Sequence, residues 1–223
     1  CMKNLTLVIP AKEEKESLPK VLEELMQYDL KKIIVLEESD YSTIKSIKNY
    51  NCDVLFQRKR GYGAALIEGI KNVKTKYFCI FNADGSFNPK ELSIMLNKIE
   101  VNKLDLVFGS RYEKEGGSED DTIITSIGNY FFTKLGKILF KLNITDILYT
   151  YVIGETQKVI NLELKEENFN YCIELPIKAK KYGLKMLSTP SYERPRIGGK
   201  KKVNAFKDGL SILISMMRLK LNK

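Results

Sequence analysis

The sequence of 223 residues contains no histidine and no tryptophan, and it has only four cysteines. Because Cys1, Cys52, Cys79 and Cys172 form no C-x-x-C pair, neither a zinc site nor a disulfide framework is indicated. Cys79 lies inside an apolar stretch and is expected to be a reduced core residue, which is typical of a cytoplasmic protein. No run approaches the roughly 20 apolar residues that a membrane-spanning helix needs.

Acidic residues are scarce towards the carboxyl terminus. The net charge is +9, and from Ser191 onward nine Lys and Arg residues stand against two acidic residues, Glu193 and Asp208, which gives +7. A basic segment of this kind favours phosphate groups in nucleic acid, anionic lipid or a phosphorylated ligand. A nucleic-acid-binding module is disfavoured, because the positive charge is confined to one loop and the last helix, without interleaved aromatic residues for base stacking.

Short apolar runs alternate with helical patterns through the first half of the chain. The runs at Asn4–Pro10, Lys31–Glu37, Cys52–Gln57, Lys76–Asn82 and Leu104–Ser110 predict strands. The patterns at Ser17–Tyr28, Ser42–Tyr50, Ala64–Lys71 and Pro89–Glu100 predict helices. Apolar strands separated by helices indicate an α/β fold with a mostly parallel sheet covered on both faces. Ligands of such sheets lie beyond the carboxyl ends of the strands.

The second half changes character after Arg111. The charged, glycine-containing stretch Tyr112–Asp121 predicts a loop, and Asp146–Gly154 is ambiguous. Helical spacing appears at Thr122–Leu142, Tyr171–Tyr182 and Val203–Leu221, and Leu184–Pro190 predicts a strand before a basic loop.

A carboxylate stands where the fourth predicted strand ends. In FNADGSFNP, Phe81 to Pro89, Asp84 follows the strand and precedes Gly85. Such a carboxylate can hold a divalent cation, because Mg²⁺ and Mn²⁺ prefer oxygen ligands from carboxylates, phosphates and water. An Asp-Gly pair is also typical of a tight turn. The stretch by itself leaves both interpretations open.

Two glycine-containing stretches could contact phosphate. In RKRGYGAALIEGI, Arg58 to Ile70, Gly61 and Gly63 precede a helix, so the backbone could approach a ligand, although a plain glycine turn is the commoner explanation. In ERPRIGGKKK, Glu193 to Lys202, the arginines and lysines suit a diphosphate, and a solvated basic loop is the alternative. The first stretch lacks the full G-x-G-x-x-G spacing of a dinucleotide site.

Four acidic residues have no evident structural task. Glu37 and Glu38 end the second predicted strand, Asp146 lies in NITDILYTY, and Glu174 interrupts an apolar helix pattern in NYCIELPIKA. Each could equally cap a helix or a turn. They are therefore candidates for chemistry that the pattern alone does not separate from structural residues.

Taken in order, these stretches resemble the family 2 glycosyltransferases of the GT-A fold, and within them the polyprenyl-phosphate (dolichyl-phosphate) sugar transferases. LVIPAKEEKESLP resembles the opening strand and nucleotide-binding loop, KRGYGAALIEGI the glycine-containing helix entry, and FNADGSFNPKEL the Asp-Ala-Asp motif. VFGSRY resembles the Gly-Ser-Arg-Tyr strand end, TDILYTY the segment before the acceptor loop, and FNYCIELP through RPRIGGKKKV the last helix, strand and basic loop. The similarity runs from about Leu5 to Gly209.

The resemblance implies one α/β GT-A domain over residues 1–223, with a nucleotide-sugar half at about 4–112 and an acceptor half at about 122–221. It implies a UDP- or GDP-sugar donor whose diphosphate is bridged by Mg²⁺ or Mn²⁺ to Asp84, with Asn82 beside it. Arg196 and Lys202 match phosphate-binding positions. The other positions that match the donor site are Pro10, Ala11, Glu13, Glu14, Glu37, Gly63, Ala83 and Arg111.

The resemblance also implies the reaction. Asp84 and Arg196 would stabilise the departing nucleoside diphosphate while the sugar passes, with inversion, to a polyprenyl phosphate. If the acceptor is instead a glycan hydroxyl, Asp146 or Glu174 would have to accept its proton.

The last predicted helix bears on where the acceptor is met. Its apolar residues include Leu210, Leu213, Ile214, Met217 and Leu221, and basic residues flank them. We expect this helix or the one at Thr122–Leu142 to contact the cytosolic face of a membrane. Packing onto the core or onto a second copy of the chain remains open.

Three departures from the family pattern have consequences. Asn82 replaces the first Asp of the motif, Glu13 replaces an Asn, and LEESDYST replaces an Asp-Asp-Gly-Ser segment. Losing one carboxylate predicts weaker metal affinity than a two-Asp site, and it keeps open a catalytically silent relative that binds a nucleotide sugar. A sugar-phosphate nucleotidylyltransferase is disfavoured, because PAKEEKES has no glycine after the first strand.

Overall fold

The computed structural model of the chain describes residues 2–198 and 205–221, without the side chains of residues 205 and 206. Its strands are β1 Leu5–Pro10, β2 Lys31–Leu36, β3 Asp53–Phe56, β4 Tyr77–Ile80, β5 Leu106–Ser110, β6 Gly117–Ser118, β7 Val152–Glu155, β8 Met186–Pro190 and β9 Tyr192–Glu193. Its helices are α1 Leu18–Leu25, α2 Tyr41–Ser46, α3 Tyr62–Asn72, α4 Glu91–Val101, α5 Ile123–Phe140, α6 Thr156–Ile160, α7 Tyr171–Lys181 and α8 Ala205–Leu221.

Seven strands form one sheet in the order β3-β2-β1-β4-β7-β5-β8. Strand β7 runs antiparallel to both of its neighbours, β4 and β5, and the other pairs are parallel. The start of β7 therefore lies at the same edge as the carboxyl ends of the parallel strands. The predicted α/β fold with a mostly parallel sheet is confirmed.

Apolar residues cover both faces of this sheet. Along β1, Leu7 and Ile9 join a buried cluster with α1 and α4, whereas Val8 joins the cluster with α3, α5, α7 and α8 on the other face. Both faces are buried because helices lie on each of them, which explains why the strands read as continuous apolar runs.

The structure departs from the predicted elements mainly in the second half. The ambiguous stretch Asp146–Gly154 begins as a loop and enters β7 at Val152. The predicted loop Tyr112–Asp121 contains β6, which pairs with β9 in a small parallel sheet. Helix α4 begins at Glu91 rather than Pro89, although Asn88 accepts a hydrogen bond from the Lys90 N–H as a cap would. None of the helices in the described ranges combines the length and apolar character needed to cross a bilayer.

Candidate functional site

Asp84 lies in a tight turn just beyond the end of β4. Its Oδ1 accepts hydrogen bonds from the Ser86 backbone N–H at 3.0 Å and from the Ser86 hydroxyl at 2.7 Å. Gly85 has φ of +84°, and a Cβ there would lie 2.5 Å from the Ile197 side chain. The turn interpretation and the ligand interpretation are therefore compatible, because the turn occupies one carboxylate oxygen and leaves the other beside the site.

The second oxygen of Asp84 faces Arg196. The Arg196 Nη2 is 3.6 Å from Asp84 Oδ2 and 3.1 Å from Asp120 Oδ2, so the guanidinium stands between two carboxylates from different loops. Partial burial lowers the pKa of Arg196, but the hydrogen bond to Asp120 and the charge of Asp84 raise it overall. Arg196 is thus a fixed cation at the rim of the Asp84 turn. Lys202 lies outside the described residues.

Asp84 supplies oxygen ligands that suit a divalent cation. Its Oδ2 has no hydrogen-bond donor within the described ranges closer than the Arg196 guanidinium, and Asn82 donates only a long 3.4 Å bond to Ser86. No group of three or more His, Cys, Asp or Glu in the described part of the chain could hold a metal alone. A cation at Asp84 would therefore take most ligands from phosphate and water, which is usual for Mg²⁺.

The loop after β1 borders this turn. Glu13 has φ of +56° and donates its backbone N–H to Asp40 Oδ2 at 2.7 Å. An asparagine adopts this left-handed conformation more easily than a glutamate, which gives a physical reason for the Asn at this position in the family pattern. Glu14 is buried, accepts a 2.6 Å hydrogen bond from Ser17, and contributes to the raised pKa of Arg196.

Three predicted donor-site residues at this edge offer little side chain to a ligand. Ala11 and Ala83 are only 6% and 4% exposed and belong to the apolar cluster beneath the loops. Pro10 is half-buried at the end of β1. The side chains of the two alanines belong to the core, so a predicted contact with a nucleotide would have to come from their backbone atoms.

A cleft of about 350 Å³ lies between the end of β2 and the loop after β3. At its wall Glu37 stands between two cations, with Oε1 3.7 Å from Lys12 Nζ and Oε2 3.5 Å from Arg60 Nε. Tyr41 and Gln57 are among the other residues that line the cleft. The sequence pattern pointed to Glu37 but not to Lys12 or Arg60, whose only signal was their position at the ends of neighbouring strands.

Arg111 and Asp146 form a buried pair at the end of β5. Asp146 is fully buried and accepts three hydrogen bonds from Arg111, through the backbone N–H at 3.1 Å, Nε at 2.8 Å and Nη2 at 3.1 Å. Asn129 donates a fourth at 2.7 Å. Burial by itself lowers the pKa of Arg111, but the charge of Asp146 raises it by more, so the pKa lies above its ordinary value. Because a carboxylate has about four lone-pair positions, Asp146 has none left for a substrate.

The remaining contacts of the Arg111 guanidinium are also to residues of the protein. Its Nη1 donates to Glu193 at 3.1 Å, and its guanidinium lies 4.8 Å from the centre of the Tyr149 ring. Two carboxylates thus surround one cation, so the group carries a net negative charge. This arrangement argues against the predicted contact of Arg111 with a diphosphate and indicates that it positions the loop between β5 and α5.

Glu174 holds a backbone segment that packs closely against Gly63. Glu174 is buried on α7 and accepts hydrogen bonds from the backbone N–H groups of Lys165 and Glu166, the latter at 2.7 Å. This fixes the backbone around residues 166–168 against α3, where a Cβ on Gly63 would lie 2.1 Å from the Glu166 carbonyl oxygen. These contacts give Glu174 a structural role and make close packing of two loops possible at Gly63, whereas their predicted roles as a base and in nucleotide binding stay predictions.

Arg194 differs from Arg196 although the sequence groups them in one basic loop. Its guanidinium forms a forked pair with Glu24 of α1 at 2.7 and 2.9 Å and also donates to the Phe87 carbonyl at 2.7 Å. One of the two arginines thus anchors the loop to the body of the protein, and the other points to the Asp84 turn. The sequence pattern indicates neither this division nor Asp120, the main partner of Arg196.

Comparison with known proteins identifies the chain. The model of the family described as glycosyl transferase family 2 matches residues 6–160. The chain belongs to glycosyl transferase family 2. An uncharacterized protein of Methanocaldococcus jannaschii is 27% identical over 192 residues, which cover 82% of this chain and 79% of that protein. An uncharacterized glycosyltransferase of Mycobacterium tuberculosis is 25% identical over 210 residues, 94% of each chain. The glycosyltransferase prediction is confirmed.

Two further similarities bear on the fold and the branch. A glucosyl-3-phosphoglycerate synthase of Mycobacterium tuberculosis, crystallised with Mn²⁺, UDP and its product, superposes with a TM-score of 0.74 at 11% identity, over 97% of this chain and 80% of that one. This similarity shows the fold, and the predicted GT-A architecture is confirmed. A dolichyl-phosphate beta-glucosyltransferase of Dictyostelium discoideum is 31% identical over 129 residues, which cover 48% of this family 2 member and 39% of that enzyme.

Proposed function

We propose that this family 2 glycosyltransferase moves a sugar from a nucleoside-diphosphate sugar to a lipid phosphate of the polyprenyl type at the cytosolic face of a membrane. The observation that carries the proposal is the meeting of Asp84 and Arg196, 3.6 Å apart, beyond the carboxyl end of β4. The Asp84 carboxylate can bind a divalent cation, and the neighbouring Arg196 guanidinium can donate two hydrogen bonds to phosphate. Together they suit a diphosphate leaving group.

In this proposal, different residues bind the metal ion and the phosphates of the nucleotide-sugar donor. Asp84, with Asn82 beside it, would hold Mg²⁺ or Mn²⁺, and the bound ion would neutralise charge on the departing diphosphate. Arg196 donates N–H groups from a fixed planar fork, which suits phosphate oxygens. Asp120 holds Arg196 at 3.1 Å and so orients it towards the Asp84 turn. A solved neighbour of the same fold was crystallised with Mn²⁺ and UDP, which supports a metal-bound diphosphate in this proposal.

The state of the two candidate bases supports a phosphate acceptor over a hydroxyl. Asp146 is saturated by Arg111 and Asn129, and Glu174 is saturated by the backbone at residues 165 and 166 together with Lys178 at 2.9 Å. A hydroxyl acceptor must lose a proton, and neither carboxylate is available to take it. A phosphate acceptor is already an anion and needs no strong base.

The cleft at Glu37 supports a uridine nucleotide. Lys12 and Arg60 flank the Glu37 carboxylate at 3.7 and 3.5 Å, so these three side chains offer a donor, an acceptor and a donor in that order. Uracil presents the complementary order, an N–H between two carbonyl oxygens, whereas guanine presents two adjacent donors next to one carbonyl. We therefore infer a UDP-sugar and expect GDP-sugars to bind more weakly.

The test is a thermal-shift screen of UDP- and GDP-sugars with Mn²⁺, followed by transfer of labelled sugar to polyprenyl phosphate. A ligand at about 100 times its dissociation constant stabilises a protein by ~2.7 kcal/mol, so a bound donor gives a clear shift. A shift with UDP-sugars and labelled lipid product supports the proposal. Labelled product on a glycan and none on lipid phosphate would assign the hydroxyl acceptor instead.

The absence of a second carboxylate at position 82 motivates one alternative, a nucleotide-sugar-binding relative without turnover. It predicts the same thermal shift with UDP-sugars but no release of UDP in the presence of lipid extract. Measuring UDP release together with binding therefore separates the two functions.

A further inference from the structure

Helices α5 and α8 together expose an apolar surface on one face of the protein. They pack side by side: Lys220 Nζ donates to the Leu139 carbonyl at 2.7 Å, and Ile212 and Met216 are buried in the cluster that also holds Phe132. Many of the outward residues are large and apolar. The exposed members on the two helices are Ile123, Ile124, Ile127, Tyr130, Phe131, Ile138, Leu210, Ile214, Met217 and Leu221.

The spacing of the exposed residues on α8 repeats along one side of the helix. Leu210, Ile214, Met217 and Leu221 follow one another at intervals of four, three and four residues, and Leu210 and Ile214 are each 61% exposed. This is the stripe expected on the buried side of an amphipathic helix. In the structure the stripe faces outward, while Ile212 and Met216 make the contact with the core. A second apolar environment is therefore required to cover it.

The charge of the surface indicates what that environment is. Helix α5 has no acidic residue, and its second half carries the exposed lysines Lys134 and Lys137, followed by exposed Lys141. Lys220 of α8 lies beside them, with its ammonium 5.8 Å from the centre of the Phe140 ring. A second copy of α5 would bring no acidic side chain to pair with these lysines. Anionic lipid head groups complement the lysines, and acyl chains complement the apolar stripe.

The surface continues into a cleft beyond the end of β5. Ile123 and Ile127 line a cleft of about 370 Å³ together with Arg111 and Tyr112 at the end of β5. A protein lying on a bilayer with α5 would therefore hold this cleft open towards the lipid. We propose that the exposed α5 and α8 surface docks the protein onto an anionic bilayer. The proposal rests on the proposed function for the identity of the acceptor, but docking can be measured without it.

The experiment is flotation of the purified chain with vesicles, in the absence of any nucleotide sugar. One probe is phosphatidylcholine alone, and the other is phosphatidylcholine and phosphatidylglycerol in equal parts. We expect binding to the anionic vesicles that weakens as salt is added, because salt screens the lysines. The triple variant Ile138→Ser, Leu210→Ser, Ile214→Ser should not float. The double variant Lys134→Gln, Lys137→Gln should bind more weakly, by roughly fivefold for each lysine.

Matched controls come from the opposite side of the sheet. Ile94→Ser with Val101→Ser on α4 removes exposed apolar residues, and Lys20→Gln with Lys48→Gln removes the same charge as the lysine variant. Both should float as the wild type does. No flotation of the wild type, or equal flotation of all variants, would overturn the proposal. The proposal would also be overturned if the wild type forms a dimer that the triple variant dissociates and does not bind vesicles.

The proposed function fails separately from docking. A thermal shift by UDP-sugar with Mn²⁺ reports on the donor site and needs no lipid. Donor binding without flotation would contradict the docking proposal and leave the proposed UDP-sugar donor intact. Flotation without donor binding would support docking and contradict the proposed donor.

Discussion

Arg196 lies between two carboxylates, 3.1 Å from Asp120 and 3.6 Å from Asp84, at the carboxyl edge of the sheet. The shorter distance is to the residue that the sequence pattern does not mark, and the longer is to the proposed metal ligand. An arginine held mainly by Asp120 leaves the outer oxygen of Asp84 only weakly paired. Under the proposed function, we expect a cation and a diphosphate to enter between Asp84 and Arg196.

Replacing Asp84 by Asn should abolish most turnover while leaving the fold intact. The amide oxygen of Asn can still accept from Ser86, so the turn persists, but the charge that would hold the cation is lost. We expect the rate of UDP release to fall roughly a hundredfold or more. Asp29→Asn at an exposed site is the control. Unchanged turnover of Asp84→Asn would remove its metal role.

Replacing Asn82 by Asp should strengthen metal binding. The substitution restores a second carboxylate two residues before Asp84, and the affinity of an oxygen site for divalent cations rises with the number of charged ligands. We expect the apparent dissociation constant for Mn²⁺, measured by titration in the presence of UDP, to fall by about an order of magnitude. An unchanged constant would mean that position 82 lies outside the metal shell.

The sequence predicted the first half of the fold well and the short strand β7 poorly. Strands β1, β2, β4 and β5 are buried on both faces, so each appears as an apolar run, and the helices between them keep their amphipathic spacing. Strand β7 has only four residues and follows an aromatic loop, Tyr149 to Tyr151. Both tyrosine rings of this loop pack against Phe87. No local pattern separates such a loop from a strand.

The candidate site was predicted where one segment carries the chemistry and not where distant segments meet. Asp84 sits in a turn whose partners are two residues away, so its position could be read from the motif. The saturation of Asp146 depends on Arg111 and Asn129, which are 35 and 17 residues away in the chain. Gly63 is explained by a loop about a hundred residues later, which no spacing in the sequence indicates.

Replacing Asp146 by Asn should destabilise the protein rather than act on the chemistry alone. The buried Arg111 would lose its forked partner and keep only Glu193. Removing one member of a buried pair costs about 3–5 kcal/mol, and we expect about 3 kcal/mol in the free energy of unfolding measured with urea. The exposed pair of Lys3 and Asp29 provides the control, since Asp29→Asn should change stability by less than about 1 kcal/mol. Lost turnover at unchanged stability would instead restore Asp146 as a base.

Replacing Gly63 by Ala should disturb the contact of α3 with residues 166–168. The new methyl group would lie 2.1 Å from the Glu166 carbonyl oxygen and 2.7 Å from that of Asn168, so one backbone must move. We expect a loss of roughly 2–3 kcal/mol in the free energy of unfolding. Gly128→Ala on α5 is matched, because nothing lies within 4 Å of its added methyl group, and it should stabilise the helix by about 0.5–1 kcal/mol. Gly63→Ala with normal stability and weaker UDP binding would favour the phosphate role.

Replacing Asp40 by Ala should cost stability at neutral pH and little in acid. Partial burial raises the pKa of Asp40, but hydrogen bonds from the Glu13 and Thr43 backbone N–H groups lower it overall, below the ordinary value of 3.8. Since the folded protein then binds fewer protons than the unfolded chain, this stabilisation is complete above pH 3.8 and is lost as the pH falls through the folded pKa.

The size of the effect follows from the role of Asp40 as the cap of α2. Loss of such a cap costs about 1 kcal/mol, so urea midpoints of the wild type and Asp40→Ala should differ at pH 7 and converge below the folded pKa. Asp53→Ala at the exposed start of β3 should show no such convergence. A difference between wild type and Asp40→Ala that stays constant from neutral to acid pH would mean that Asp40 is not charged when it holds the loop after β1.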